Sequence, residues 1–308
     1  MALAIAEVAE LAGFPAGQGT SYTVLKGGLS HLIVRVQSPG RNHVLRVLDP
    51  AVGDAGLGIP VGQEIENTVR AAESGVGPAV IRVLGDPPAL VLEYLDGRTL
   101  SAADVRDPAM IPRIAEACRR LHAGPAFGND FSVFRKAEEL FARCLRAGLT
   151  IPSGYADRRP IMDELERALA FHPLPPVPCH NDLLAENLID DGRDVRIIDY
   201  QLSGMNDPAF ELGDIAAEAD YTPDQCAALA AAYFGTDRTP ALVARVRLYL
   251  LASNITWTLW FAVHHGLLHA ASGADGFDYT AEAEDKWAQA VRDMDSPDLP
   301  GLLDLVRG

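Results

Sequence analysis

Up to Tyr94, apolar positions alternate with polar ones or gather in short β-branched runs. Tyr22 to Val36 and His43 to Leu48 read as strands, and Ser38-Pro39-Gly40-Arg41 between them supplies the turn of a hairpin. From Gly62 to Ser74 the spacing becomes helical, with Glu64, Asn67 and Ala71 along one face; two further strands follow at Ala79 to Leu84 and Ala89 to Tyr94. Beyond Asp96 the helical period dominates. It predicts helices over Pro108 to His122, Phe134 to Ala147, Asp157 to Ala170, Asp207 to Ala219 and Pro223 to Tyr233, then a long pair around Pro240 to Ala271 and Thr280 to Met294. Only a strand pair flanking Asp199 is expected to interrupt them. The chain is therefore expected to be α+β and bilobal, with a small β-rich N-lobe over residues 1–95 and a larger α-helical C-lobe over 96–308.

A length of 308 residues with 48% hydrophobic and 22% charged content suits a globular chain large enough for two lobes around one cleft. The formal net charge of -16 argues against nucleic acid as a partner, because binding that backbone requires a basic face. Cys118, Cys144, Cys179 and Cys226 are scattered and form no C-x-x-C pair, which indicates neither zinc nor a disulfide framework and fits a reducing cytoplasm. The start, MALAIAEVAELAG, is apolar but short, carries Glu7 and Glu10 and lacks a basic leading region, unlike a signal peptide. Asn254, His264 and His265 interrupt the longest apolar stretch, Leu248 to Ala271, so a buried helix is expected there and no membrane insertion. Either a monomer or a homodimer fits these features.

The chemistry is concentrated between Cys179 and Asp214, CHNDLLAENLIDDGRDVRIIDYQLSGMNDPAFELGD. His180, Asp182 and Asn187 stand in an H-x-D-x-x-x-x-N pattern, and Val195 to Ile198 reads as a buried strand that delivers Asp199 at its end. Asp207 and Asp214 add a third acidic cluster. Phosphoryl transfer leaves a protein little covalent work, so its site needs hard oxygen ligands for Mg²⁺ and one carboxylate to orient the nucleophile. In kinases a loop Asp faces the acceptor hydroxyl, while the Asn five residues on and a later Asp hold Mg²⁺ against the phosphates of ATP. Asp182 is thus expected to orient the hydroxyl and accept its proton late, and Asn187 and Asp199 to hold Mg²⁺. His180 is expected to brace this catalytic loop rather than to transfer protons.

Upstream, Lys26-Gly27-Gly28-Leu29-Ser30-His31 lies between two strands, where a kinase places the glycine-rich loop that covers ATP phosphates; a plain turn reads equally well from two glycines. Arg46 stands where protein kinases carry the phosphate-binding Lys, and it keeps the charge while adding a forked donor. Its ion-pair partner is expected at Glu64. Glu66 competes, because sequence leaves the rotation of that helix open by a residue.

HNDLLAEN followed by IDYQLSGMNDPAFELGD closely resembles the choline and ethanolamine kinases, including their bacterial branch, within the aminoglycoside phosphotransferase and protein-kinase-like superfamily. The similarity runs from about Tyr22 to about Trp287 and is strongest between Val177 and Asp214. It implies a protein-kinase-like fold and an ATP- and Mg²⁺-dependent kinase acting on a hydroxyl. It also implies that LVLEYLDGRTL is the hinge between lobes, gripping adenine through the backbone carbonyl of Glu93 and the N–H of Leu95. The chain departs from the family at His31, where Asn is usual, and at Gln201, where choline kinases tend to carry Glu two residues after the metal Asp. A neutral amide is a poorer metal partner, which leaves a second metal open.

Trp257 and Trp260 share one helix face at i and i+3, with Tyr279 downstream. Spacing alone favours core packing for such aromatics. The resemblance implies a cage instead, since choline kinases carry a similar W-x-L-W helix whose tryptophans, with a Tyr in the next helix, enclose the trimethylammonium head through their ring faces. The expected activity is ATP-dependent phosphorylation of a small cationic amino alcohol, choline first and ethanolamine second. The alternatives are thiamine, an aminoglycoside or a sugar as acceptor, and a catalytically silent nucleotide-binding regulator. The intact Asp182, Asn187 and Asp199 set speaks against silence.

Overall fold

Five antiparallel strands build the N-terminal sheet of the computed structural model, which describes residues 5–15, 17, 19–25, 30–269 and 277–308. They are β1 (Ser21–Val24), β2 (Leu32–Ser38), β3 (Arg41–Val47), β4 (Val80–Gly85) and β5 (Pro88–Glu93), in the spatial order β1-β2-β3-β5-β4. Ser38 pairs with Arg41, and Gly40 has a φ of 73°, so Pro39-Gly40 closes the predicted hairpin in a conformation that suits glycine. Because side chains alternate along a strand, Val34, Val36, Leu45, Ala89 and Val91 fall into one cluster, which Val8 and Ala9 of α1 (Ile5–Leu11) complete. Arg46, next to Leu45, is directed to the other face. There it meets α3 (Val61–Glu73), which follows the short α2 (Pro50–Asp54) and buries Glu64, Asn67, Thr68 and Ala71.

After Glu93 the chain crosses into the helical lobe. A Cβ at Gly97 would lie 2.6 Å from the carbonyl oxygen of Asp190, so the close approach of these two segments requires glycine. Five short strands follow: β6 (Arg98–Thr99), β7 (Val177–Cys179), β8 (Leu188–Asp190), β9 (Val195–Ile197) and β10 (Gly204–Asn206). β6, β8 and β9 form one sheet and β7 pairs with β10, where the sequence predicted only the pair at Asp199. Strands of two or three residues are too short for an alternating pattern to register.

The helices are α4 (Ala102–Val105), α5 (Ile111–His122), α6 (Val133–Ala147), α7 (Tyr155–Arg158), α8 (Pro160–Leu169), α9 (Pro208–Glu218), α10 (Pro223–Phe234), α11 (Pro240–His264), α12 (Tyr279–Met294) and α13 (Leu299–Arg307). The helix predicted over Asp157 to Ala170 is divided because Pro160, lacking an N–H, opens α8 at its first turn. α11 ends at His264 rather than Ala271 and continues as a π-helical turn, His265–His269. It is buried on nearly all sides because α6, α9, α12 and α13 pack around it. Among the described residues no helix is long and apolar enough to cross a membrane. The four cysteines are buried and free.

Candidate active site

The loop that joins β7 to β8 carries His180, Asp182 and Asn187. Asn181 and Asp199 are held at φ 67° and 70°, a left-handed conformation that non-glycine residues keep only where neighbours over-determine it. Two carboxylates of α9 do so for the loop. Glu211, fully buried, accepts the N–H groups of His180 and Asn181, each at 2.7 Å, and Asp214 accepts that of Leu183 at 2.8 Å. Burial by itself raises the pKa of Glu211, but the His122 imidazole 3.5 Å away and His180 outweigh it and hold the carboxyl below its ordinary range. Asp214 is pushed up to about 7 by burial and by Glu218, although Trp257, Ser253 and Leu183 donate to it.

Asp207, from the predicted acidic cluster, instead caps α9 and pairs with Arg245 at 2.6 Å. Sequence reasoning missed Glu211. The available signal was an acid inside an otherwise apolar helix, since buried Glu is rare unless paired. Glu211→Gln is expected to lower stability by roughly 3 to 5 kcal/mol in urea unfolding at pH 7, as a buried charge with several partners is lost. Because its folded pKa is depressed, this contribution is complete above the unfolded value of about 4.3 and disappears as pH falls through the folded value. Acid should therefore destabilise the wild type more steeply than the variant.

His180 accepts the Asp182 N–H at Nδ1 (3.2 Å) and donates from Nε2 to the Ile198 carbonyl (2.8 Å). Burial holds its pKa below the ordinary value, which suits this neutral form with one donor and one acceptor. The ring thus ties the loop to the end of β9. Asn187 donates Nδ2 to the Asp182 carbonyl at 2.8 Å, leaving Oδ1 as its acceptor atom. The Asp182 carboxylate is half-buried and has no hydrogen-bond partner among the described residues. Burial raises its pKa well above the usual range, Asp214, Glu218 and Asp199 add to the rise, and Lys286 opposes it.

From the N-lobe, Arg46 donates to Oε1 of Glu64 at 3.0 and 3.1 Å and also bonds Oδ1 of Asp199. Burial disfavours the guanidinium charge, yet Asp199 and Glu64 more than restore it. Burial likewise raises Asp199, and Arg46 reverses that, leaving the carboxyl below its ordinary pKa. Of the two candidate glutamates, Glu64 faces Arg46 while Glu66 pairs with Arg70 of its own helix. His31 lies 3.3 Å from the second oxygen of Glu64 and accepts the Asp49 N–H. Gln201 donates to the Leu57 carbonyl at 2.9 Å and to Ser30 Oγ at 3.1 Å, so its amide links the lobes. Gly27 and Gly28 lie outside the described residues. Glu93 ends β5, its side chain accepting the Ala79 N–H, and Leu95 sits two residues on in the crossing segment.

From α11, Trp257 donates to Asp214 at 2.7 Å and Trp260 to the Leu57 carbonyl at 3.0 Å. Tyr279 stacks on His264 with centroids 4.3 Å apart, and His264 lies 5.0 Å from Trp260. The structure therefore brings Trp260 and Tyr279 together around His264, which the sequence reading treated only as an interruption of an apolar run. Trp257→Phe keeps a ring face but loses the N–H held by Asp214. A loss of roughly 1 to 3 kcal/mol is expected, read as a lower melting temperature, which a ring-face role alone would not produce.

The chain matches the model of the phosphotransferase enzyme family over residues 21–249. A choline/ethanolamine kinase family protein from Mesorhizobium loti superposes with a TM-score of 0.81 at 32% identity, covering 97% of each chain. A probable choline kinase of Arabidopsis thaliana is 27% identical over 307 residues, covering 86% of this chain and 83% of that protein. The protein LicA of Haemophilus influenzae is 26% identical over 259 residues, covering 78% of this chain and 73% of its own length. With these neighbours the two-lobed architecture is a protein-kinase-like fold.

Proposed function

Because the chain belongs to the phosphotransferase enzyme family, in its choline and ethanolamine kinase branch, and is thus a phosphotransferase with an alcohol acceptor, we propose that it transfers the γ-phosphoryl group of ATP to a small amino alcohol, choline first and ethanolamine second. The observation that carries the choice of a cationic acceptor is the charge around Asp182. Burial first, then Asp214, Glu218 and Asp199, push its carboxyl toward the protonated form, and Lys286 opposes them. An acceptor ammonium adds positive charge there, and so moves Asp182 toward the carboxylate that can take a proton.

Asp182 orients the acceptor hydroxyl and receives its proton late, as the bond to the phosphoryl group forms. Asn187 and Asp199 offer hard oxygens of the kind a small divalent cation takes, an amide Oδ1 without a hydrogen bond among the described residues and a carboxyl kept ionised. When bound there, Mg²⁺ neutralises phosphate charge. Arg46 exchanges Asp199 for phosphate oxygens while Glu64 and His31 keep its position, and Gly27, Gly28 and Ser30 cover the phosphates. The backbone of Glu93 and Leu95 holds adenine, and Trp257, Trp260 and Tyr279 face the acceptor head. A coupled assay across choline, ethanolamine, thiamine and aminoglycosides tests the reading: choline or ethanolamine should give the highest kcat/KM, and a preference for an aminoglycoside sinks it.

A further inference from the structure

A buried ion pair close to Asp182 extends the amino-alcohol reading, on which it rests. Lys286 of α12 is only 5% exposed, and its Nζ lies 2.8 Å from Oε1 of Glu218 and 3.2 Å from the carbonyl oxygen of Ala217. Both partners belong to the last turn of α9, where the helix dipole favours a cation. Glu218 stands one helical turn beyond Asp214 on α9, and Asp214 accepts both the Leu183 N–H beside Asp182 and the Trp257 indole N–H, so the pair lies next to the catalytic loop and the tryptophans. Lys286 also follows Tyr279 by seven residues on α12, two turns along the same face. A primary ammonium, held by one carboxylate and one carbonyl, is thus already seated at the acceptor wall.

We propose that Lys286 is an internal stand-in for the acceptor's ammonium: it neutralises Glu218 until the acceptor arrives, and the acceptor's cationic head binds by taking its place. Position 286 then sets how tightly cationic acceptors are held. The flexible four-carbon stem of lysine allows the head to withdraw while its methylenes stay packed. Both partners accept N–H bonds, so a primary ammonium can repeat the two contacts of Lys286, whereas a trimethylammonium can repeat only the charge attraction. Competition from Lys286 therefore weighs most on primary amines.

The test is K286M, which keeps an apolar stem and removes the competing cation. Its KM for ethanolamine is expected to fall about tenfold, equivalent to roughly 1.4 kcal/mol, with a smaller fall for choline and none for ATP. K286R retains a cation against Glu218 and is expected not to reproduce the fall. Since K286M leaves Glu218 without its counter-charge, it should melt lower than the wild type and gain more in melting temperature from saturating ethanolamine. Should K286M be too unstable to assay, K286Q carries the same expectations. An ethanolamine KM that is unchanged or raised in the uncharged variant, or lowered equally in K286R, overturns the role of Lys286 alone. If the wild type phosphorylates neither amine, the acceptor reading fails and this inference with it.

Discussion

Asp182→Ala is expected to lower kcat by about a thousandfold while the KM for ATP hardly moves. The contacts that shape the loop use the main chain of this residue, its N–H on His180 and its carbonyl on Asn187, so both survive the substitution. Only the carboxylate goes, and no described residue of the chain bonds to it. Its folded pKa lies above the unfolded value, which means that folding disfavours the ionised form and that Asp182 costs stability at neutral pH. The variant should therefore melt no lower than the wild type. Steady-state kinetics beside a melting curve separate loss of chemistry from loss of fold, and retention of most activity would remove Asp182 from its assigned role.

Asp199→Asn is expected to abolish turnover at any Mg²⁺ concentration, while Asn187→Ala raises the Mg²⁺ needed for half-maximal rate. The difference follows from charge. Asp199 offers an anion, kept ionised by Arg46, where Asn187 offers a neutral oxygen whose loss a higher cation concentration can offset. Asp199→Asn also leaves Arg46 with Glu64 as its one remaining carboxylate partner among the described residues, so a modest fall in melting temperature should accompany the loss of activity. Titrating Mg²⁺ in both variants checks the assignment. An unchanged dependence in both excludes the site.

What could be read from the residues in order was whatever depends on local spacing. The hairpin at Pro39-Gly40, the helices from α5 to α12 within a few residues apart from the break before Pro160, the loop pattern of His180, Asp182 and Asn187, and Asp199 at the end of a strand all arise from neighbours a few positions apart. Periodicity and turn chemistry act at that range. The resemblance to choline and ethanolamine kinases rests on the same short segments, and the comparisons support it.

Tertiary structure alone decided the partners. The choice of Glu64 over Glu66 depended on the rotation of α3 against β3, and Gln201 found its acceptors 144 and 171 residues away, at Leu57 and Ser30. Glu211 is read from sequence as one more acid, yet packing of α9 beneath the loop makes it the acceptor of two backbone N–H groups. Lys286 and Glu218 are separated by the whole of α10 and α11 and meet only because α12 folds back along α11 beside the end of α9. A carboxylate's effect is set by burial and by charges within a few ångströms. Those distances are fixed by how helices pack, and residue spacing along the chain carries no record of them.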